Sequence, residues 1–255
     1  MSDNPQPASA QEFRLHADVL AITGRDAITF AQAQFMNDVA ALGDGEWQWN
    51  GWLTPKGRLV ALFALLKFDD VTLWLVLPDA DASELATKLQ RFVFRSKVVL
   101  AARDDLHAVA AFASPAEASG ARFARVDGGV ELDFGGDGGP RTLRIGPAQA
   151  PADDDASARW RSFDLRHGLP RLRGAQVEAW TPQQLSLHRL KAYSVKKGCY
   201  PGQEIVARTH FLGQAKRGLA LFHADAALAE GTPVSTGGRD IGTVVCTQGD
   251  QLLAV

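Results

Sequence analysis

Thirteen residues hold the densest chemistry in this chain: Lys196-Lys197-Gly198-Cys199-Tyr200-Pro201-Gly202-Gln203-Glu204-Ile205-Val206-Ala207-Arg208. The spacing predicts a loop from Lys196 to Gly198 leading into Cys199. A short helix through Arg208 should follow, with Pro201 in its first turn. A thiol just ahead of a helix meets the positive end of the helix dipole, and the neighbouring lysines add to that field. Both influences favour the thiolate, the nucleophilic form. Gly198 and Gly202 allow close backbone approach to a ligand. Glu204 suits a first helical turn and can accept hydrogen bonds from an amino-pyrimidine ring.

A lone cysteine is more often a small buried hydrophobe. Cys246, beside Val244 and Val245 in an expected strand, takes that plainer reading. Cys199 differs because its polar, basic, glycine-flanked neighbourhood is poor core material. No Cys-x-x-Cys pair is present, which argues against a self-contained dithiol redox cycle. His188 or His210 is available for a papain-like Cys/His pair, but no local signature accompanies either. Two cysteines build neither a disulfide framework nor a four-thiolate metal site, and they fit a reducing cytoplasm. No metal site is expected.

Around this motif the charge is uneven. The chain of 255 residues has a net charge of −2. Residues 157–218 contain 12 Lys+Arg and 3 Asp+Glu, a net of +9, against −8 before them and −3 after. The positive block comprises Arg159, Arg161, Arg166, Arg171, Arg173, Arg189, Lys191, Lys196, Lys197, Arg208, Lys216 and Arg217. It is either a solvated face balancing the acidic part of the same fold or a site for an anionic ligand. RNA is a further option, but aromatic residues are sparse in the block and no RNA-binding signature appears.

The elements that must position the motif follow from periodicity and punctuation. Strands are expected at Val19 to Ile22, Trp47 to Leu53, Leu59 to Phe68, Val71 to Leu77, Lys97 to Ala101, His107 to Phe112, Val130 to Phe134 and Thr142 to Ile145. Helices are expected at Asp26 to Val39, Asp81 to Arg91 and Asp153 to Arg166. A fourth should start at Thr181-Pro182-Gln183-Gln184, which reads as a capping box. Pro55-Lys56-Gly57 is a turn. Asp133-Phe134-Gly135 copies three letters of a kinase signature but lacks the rest of it. Three short segments, Leu219 to Phe222, Thr232 to Ser235 and Ile241 to Cys246, predict a small antiparallel unit. Hairpins alternating with single helices argue for an α+β fold. The polar start has no signal-peptide core, and no apolar run reaches the ~20 residues needed to span a bilayer.

Lys-Gly-Cys-Tyr-x-Gly-Gln-Glu, at Lys197 to Glu204, resembles the signature of the YgfZ-type folate-binding proteins, relatives of the aminomethyltransferase (T-protein) of the glycine cleavage system. Three further segments resemble the family in order: Gly24 to Val39, Leu53-Thr54-Pro55-Lys56-Gly57-Arg58-Leu59, and Asp164 to Pro170. The resemblance implies an aminomethyltransferase-like α+β fold with antiparallel sheets and helices around a central cavity, plus a small C-terminal β-barrel-like unit. It implies a tetrahydrofolate-type cofactor and a role in iron–sulfur cluster assembly or repair, supporting iron–sulfur enzymes that include tRNA-modifying ones. Cys199 carries over as the functional residue, and Lys197, Gly198, Tyr200, Gly202, Gln203, Glu204 and Arg208 as cofactor-binding residues.

The transferases place a carboxylate in the strand after the glycine turn. Arg58-Leu59-Val60-Ala61-Leu62-Phe63 has none, so classical aminomethyl transfer is not expected. A folate-dependent one-carbon transferase and a tRNA-binding module remain as alternatives. The expected organisation is a disordered tail at 1–10, a folate-binding region at 11–214 subdivided near 110–155, and a C-terminal unit at 215–255. Expected partners are folate and iron–sulfur enzymes or assembly proteins. Direct tRNA contact is secondary, no membrane is expected, and the expected location is the cytoplasm.

Overall fold

The computed structural model describes residues 11–213, 217–226 and 228–255. The expected tail at 1–10 and the cation Lys216 lie outside them. In chain order the elements are β1 (Phe13–Leu15), β2 (Asp18–Thr23), α1 (Ala27–Gln34), β3 (Glu46–Leu53), β4 (Leu59–Asp69), β5 (Thr72–Leu77), α2 (Ala82–Gln90), β6 (Val99–Ala102), β7 (His107–Ala111), β8 (Ala124–Val126), β9 (Gly129–Asp133), β10 (Thr142–Gly146) and α3 (Asp154–Arg166). A 3-10 turn at Gly174–Gln176 precedes α4 (Gln203–Leu212), and β11 (Ala220–His223), β12 (Pro233–Thr236), β13 (Arg239–Gln248) and β14 (Gln251–Ala254) complete the chain.

Among the described residues the strands form three sheets, in orders β3-β4-β5-β2-β6, β1-β7-β10-β9-β8 and β11-β14-β13-β12. Every strand pairing is antiparallel, as the α+β expectation requires. The first sheet is buried on both faces, and its strands show why. Side chains alternate across a strand, so a near-continuous apolar run feeds two cores. Ala61, Phe63 and Leu65 of β4, with Leu73, Leu75 and Leu77 of β5, join one core together with Phe30 of α1 and Leu85 of α2. Leu62, Ala64 and Leu66, with Trp74 and Val76, face the other. That second core also holds one face of the second sheet (Ala108, Ala110, Val130, Leu132, Leu143, Ile145) and Trp160 of α3.

Two helix starts follow their sequence signals. Asp81 accepts the Glu84 N–H at 2.8 Å to begin α2, and Asp153 accepts the Ala156 N–H at 2.8 Å to begin α3. Two other expectations need correction. The first helix ends at Gln34, not Val39, because Phe35 turns extended and bridges to Trp52 of β3. The capping box at Thr181 does form: Gln184 N–H donates to Thr181 Oγ1 and Thr181 N–H donates to Gln184 Oε1. No helix grows from it, because Ser186 and Lys191 take φ of 51° and 49° and break the ladder into successive turns. The C-terminal unit gains an unforeseen strand, β14. It forms an open four-stranded sheet rather than a barrel, since β11 and β12 are its two edges.

Candidate functional site

Residues 197–203 form a loop that is fastened at both ends and open at its tip. At one end Lys197 is buried, and its ammonium donates to the backbone carbonyls of Gln32, Phe35 and Asn37 at 2.5–3.0 Å. Those carbonyls belong to the last turn of α1 and the segment after it, where helical partners run out. An ammonium has three donors, so all of Lys197 is used. At the other end Tyr200 is buried, its hydroxyl donates to Ser194 O, and its ring lies 4.8 Å from the Lys197 Nζ. Gln203 closes the loop by donating from Nε2 to Lys197 O at 3.1 Å. Burial pulls the Lys197 pKa down to about 8, against an opposing pull from Asp38, and pushes that of Tyr200 up.

Between these anchors Gly198 and Cys199 are exposed. A Cβ at Gly198 would meet nothing within 4 Å. Gly202 is the opposite case. It sits at φ 80°, ahead of α4, and a Cβ there would lie 2.7 Å from both Gly57 Cα and Thr54 O. The two glycine motifs singled out in the sequence therefore touch backbone to backbone. Gly57, at φ 69°, also has Ile205 of α4 packed against it. Arg58 extends the clamp by donating to Ala179 O at 2.7 Å and Gln184 Oε1 at 3.1 Å. Gln183 Nε2 holds α4 by donating to Val206 O. The segments 53–58, 179–184 and 197–208 converge on one framework.

The expected helix is displaced. It begins at Gln203 rather than Pro201, and Pro201 lies in the turn before it. Cys199 is thus four residues ahead of the helix, and the dipole's influence falls off over about one turn. Glu204 and Arg208 are exposed on α4, and neither makes an ion pair within 4 Å among the described residues. Lys197, Tyr200 and Gly202 build the loop, while Gly198, Cys199, Glu204 and Arg208 face outward and Gln203 links the two groups.

The arginines at 159–173, the first part of the basic block, make their contacts elsewhere than at the 197–208 segment. Arg171 is buried, with NH2 2.8 Å from Asp79 and NH1 3.4 Å from Asp164. Arg173 also reaches Asp79, and Asp164 meets the buried Arg141 at 2.7 Å. This network joins α3, the connection after β5 and the segment 171–173. Arg161 donates to Gln248 at 2.6 Å, and Arg159 and Arg166 lie over the Phe163 ring. A cleft of about 510 Å³ takes Arg161, Arg171 and Arg173 into its wall with Arg14 and Arg103, but no residue of 197–208. A second, of about 250 Å³, opens over Val60 to Leu62 and receives Asp79, Asp81 and Glu84. The strand after the glycine turn therefore does have carboxylates beside it, brought by another element. Asp79 is held by two arginines and Asp81 caps α2, while Glu84 is exposed and lies 4.0 Å from Lys88.

Sequence reasoning missed the acceptors of Lys197 and also Asn37. Asn37 is buried, and its Nδ2 donates to Trp49 O and Lys191 O, tying the end of α1 to the turns before the loop. The only signal for these contacts was that Gly24 to Val39 had a place in the resemblance. Among the described residues, no group of three His, Cys, Asp or Glu side chains is placed to hold a metal ion. No helix there is long and apolar enough to cross a membrane.

The polar groups of the loop and of α4, Glu204 and Arg208 with the Gly198 backbone, are chemically suited to a folate. A carboxylate can pair with an amino-pyrimidine edge, a guanidinium with a glutamate carboxylate, and the Gly198 backbone is unobstructed. Enclosure of such a ligand does not come from residues 197–208 alone.

No protein-family model matches the chain. Among curated relatives, the tRNA-modifying protein YgfZ of Cronobacter sakazakii is 31% identical, over 78% of this chain and 66% of its own length. The protein of the same name from Vibrio vulnificus (strain YJ016) is 28% identical over 86% of this chain and 70% of its own. The chain thus spans about two thirds of the length of these relatives. Among solved structures, the glycine cleavage system aminomethyltransferase T from Bartonella henselae superposes with a TM-score of 0.70 at 13% identity, covering 97% of this chain and 78% of that one.

Proposed function

The chain belongs to the YgfZ family, and from that premise we propose that it is a folate-binding accessory protein of tRNA modification. In this reading it supports iron–sulfur enzymes through the thiol of Cys199. The observation that carries the reading is the loop itself: two buried anchors, Lys197 and Tyr200, hold an exposed Gly198-Cys199 tip in one place. A cysteine serving only as core filler needs no such support. The aminomethyltransferase fold and the name borne by the relatives agree with it.

The roles divide along the geometry. Cys199 is the reacting group. Glu204 takes the amino-pyrimidine edge of the ligand, and Arg208 takes a carboxylate of its tail. Gly198 lets the ligand approach the backbone, and Gln203 holds the loop closed beneath it. Lys197, Tyr200 and Gly202 position the loop without touching the ligand. A bound tetrahydrofolate supplies a one-carbon carrier beside the thiol.

Calorimetry with tetrahydrofolate tests the cofactor. Binding that weakens at least tenfold in Glu204→Gln and Arg208→Gln supports the site. No binding at millimolar folate removes it. A classical aminomethyl transfer is not favoured, because two of the three carboxylates beside the glycine-turn strand, Asp79 and Asp81, are already held by arginine and backbone partners.

A further inference from the structure

From the last turn of α2 to β6 the chain runs Lys88-Leu89-Gln90-Arg91-Phe92-Val93-Phe94-Arg95-Ser96-Lys97-Val98, with four cations and no acid, inside the part of the sequence whose net charge is −8. Val93 and Val98 turn inward and pack on the core beneath α1 and α2. The larger Phe94 stays 87% exposed and Phe92 46%. Leaving the bulkiest apolar groups in water while smaller ones are half-buried forgoes the main hydrophobic gain available to the loop.

The segment is nevertheless well fastened. Phe92 N–H donates to Leu89 O, Val93 N–H to Gln90 O and Ser96 N–H to Val93 O, at 2.9–3.2 Å. Lys97 N–H donates to Asp26 Oδ2 at 2.7 Å. The Arg95 guanidinium lies 5.1 Å from the Phe94 ring centroid. The nearby acids are already engaged, Asp26 with Arg25 at 3.7 Å and Glu84 with Lys88 at 4.0 Å. Among the described residues Arg91, Arg95 and Lys97 make no ion pair within 4 Å, and all three are exposed.

We propose that this loop docks RNA: unpaired bases stack on Phe94 and Phe92 while Arg91, Arg95 and Lys97 neutralise the phosphates. Aromatic platforms interleaved with cations are what a single strand requires, because every base has a face to stack and every linkage has a charge. A purely apolar protein partner would bury three cations without counter-charges, which is unfavourable. The loop is also joined to the thiol site. The Phe92 ring meets the Trp52 ring edge-on at 6.0 Å, Trp52 bridges to Phe35, and the Phe35 carbonyl accepts from Lys197, two residues before Cys199. The inference rests on the proposed role in tRNA modification only for its choice of RNA, and is independent of folate.

The test is fluorescence anisotropy of the full chain with a labelled, unmodified tRNA transcript. Phe94→Ala should weaken binding by about tenfold or more, and Phe94→Tyr should retain it. Replacing Arg91 and Arg95 by Gln should flatten the salt dependence by about 0.7 in log–log slope for each phosphate left without its cation. Phe94 is almost fully exposed, so an unchanged thermal melt separates binding from folding. Equal affinity of Phe94→Ala and the parent overturns the proposal. So does binding that is lost in Lys191 and Lys196 variants and kept in loop variants. Self-association abolished by Phe94→Ala, without RNA binding, overturns it in favour of a protein contact. Tetrahydrofolate calorimetry on the same proteins keeps the two readings apart: folate binding with no RNA binding counts against the docking loop alone, and the reverse against the folate reading alone.

Discussion

Replacing Lys197 by Met keeps an unbranched apolar stem, one atom shorter, and removes its three donors. The carbonyls of Phe35 and Asn37 lie in buried surroundings and that of Gln32 is half-buried. A buried acceptor left without a donor costs about 1–3 kcal/mol. Two such groups set a loss of about 2–6 kcal/mol. Relief of burying the ammonium, whose pKa burial pulls down to about 8, offsets part of it. We expect a net loss of about 2–3 kcal/mol at pH 7, an appreciable share of the total stability of a typical domain. Urea unfolding followed by tryptophan fluorescence measures it. Amide exchange should accelerate first between Phe35 and Val39 and in residues 197–203. Lys197→Arg should not rescue the loss, because three carbonyls converge on a point and a planar fork cannot meet them. The reasoning fails if Lys197→Met unfolds within about 0.5 kcal/mol of the parent, the scatter of neutral surface changes. It also fails if the variant loses folate affinity with stability intact, since Lys197 would then be a ligand contact.

Other outcomes follow from the same geometry. Gly202→Ala should destabilise by about 2–4 kcal/mol, from a left-handed φ and a clash with immovable backbone, whereas Gly198→Ala should stay within about 0.5 kcal/mol; equal effects in urea melts would contradict the clamp. Burial pushes the carboxyl of Asp79 up, but hydrogen bonds and charges from Arg171 and Arg173 outweigh it and hold its pKa below 3.8. A depressed folded value means the contribution is complete above the unfolded pKa and disappears as pH falls through the folded one. The urea midpoint should therefore drop below about pH 4, and Asp79→Asn should flatten that drop while lowering stability at pH 7. Iodoacetamide should label one thiol of the native protein, Cys199; Cys246, 1% exposed with its pKa pushed up to about 12 mainly by burial, should react only in denaturant. Rapid labelling of both would remove the distinction.

Local features were readable from the chain, and long-range ones were not. Asp81 and Asp153 announced their helices because a cap is satisfied within three residues. Thr181 announced a helix equally well and formed its capping box, yet the left-handed Ser186 cancelled the outcome, and nothing nearby in sequence predicts that conformation. The first helix is expected to end five residues later than it does, since Phe35 and Val39, with Met36 between them, continue the apolar spacing of Ile28 and Ala31. Phe35, Met36 and Val39 are buried, but Phe35 has joined the sheet and Met36 N–H donates to Gly51 O. At the site, the residue types of 197–208 were legible and their division of labour was not. Lys197 looked like a ligand group because its three acceptors lie about 160 residues earlier in the chain. The basic block looked like one surface because the counter-ion of Arg171 and Arg173, Asp79, is more than 90 residues away.

The contact between Gly57 and Gly202 restricts how this sequence can drift. Most packing errors can be repaired by shrinking the opposing side chain, so one substitution opens a path for another. At Gly202 the opposing groups are main-chain atoms of Gly57 and Thr54, which have nothing left to remove, whereas at Gly57 the first groups met are the Cβ and Cγ2 of Ile205. A methyl group at Gly202 has no compensating change opposite it, and tolerance would require α4 to move as a whole. Gly202 is thereby held to its identity, independently of any ligand, by the backbone of a turn 145 positions earlier, and Gly57 is held by its φ of 69°, so an intact pair marks chains that still carry the loop in this posture.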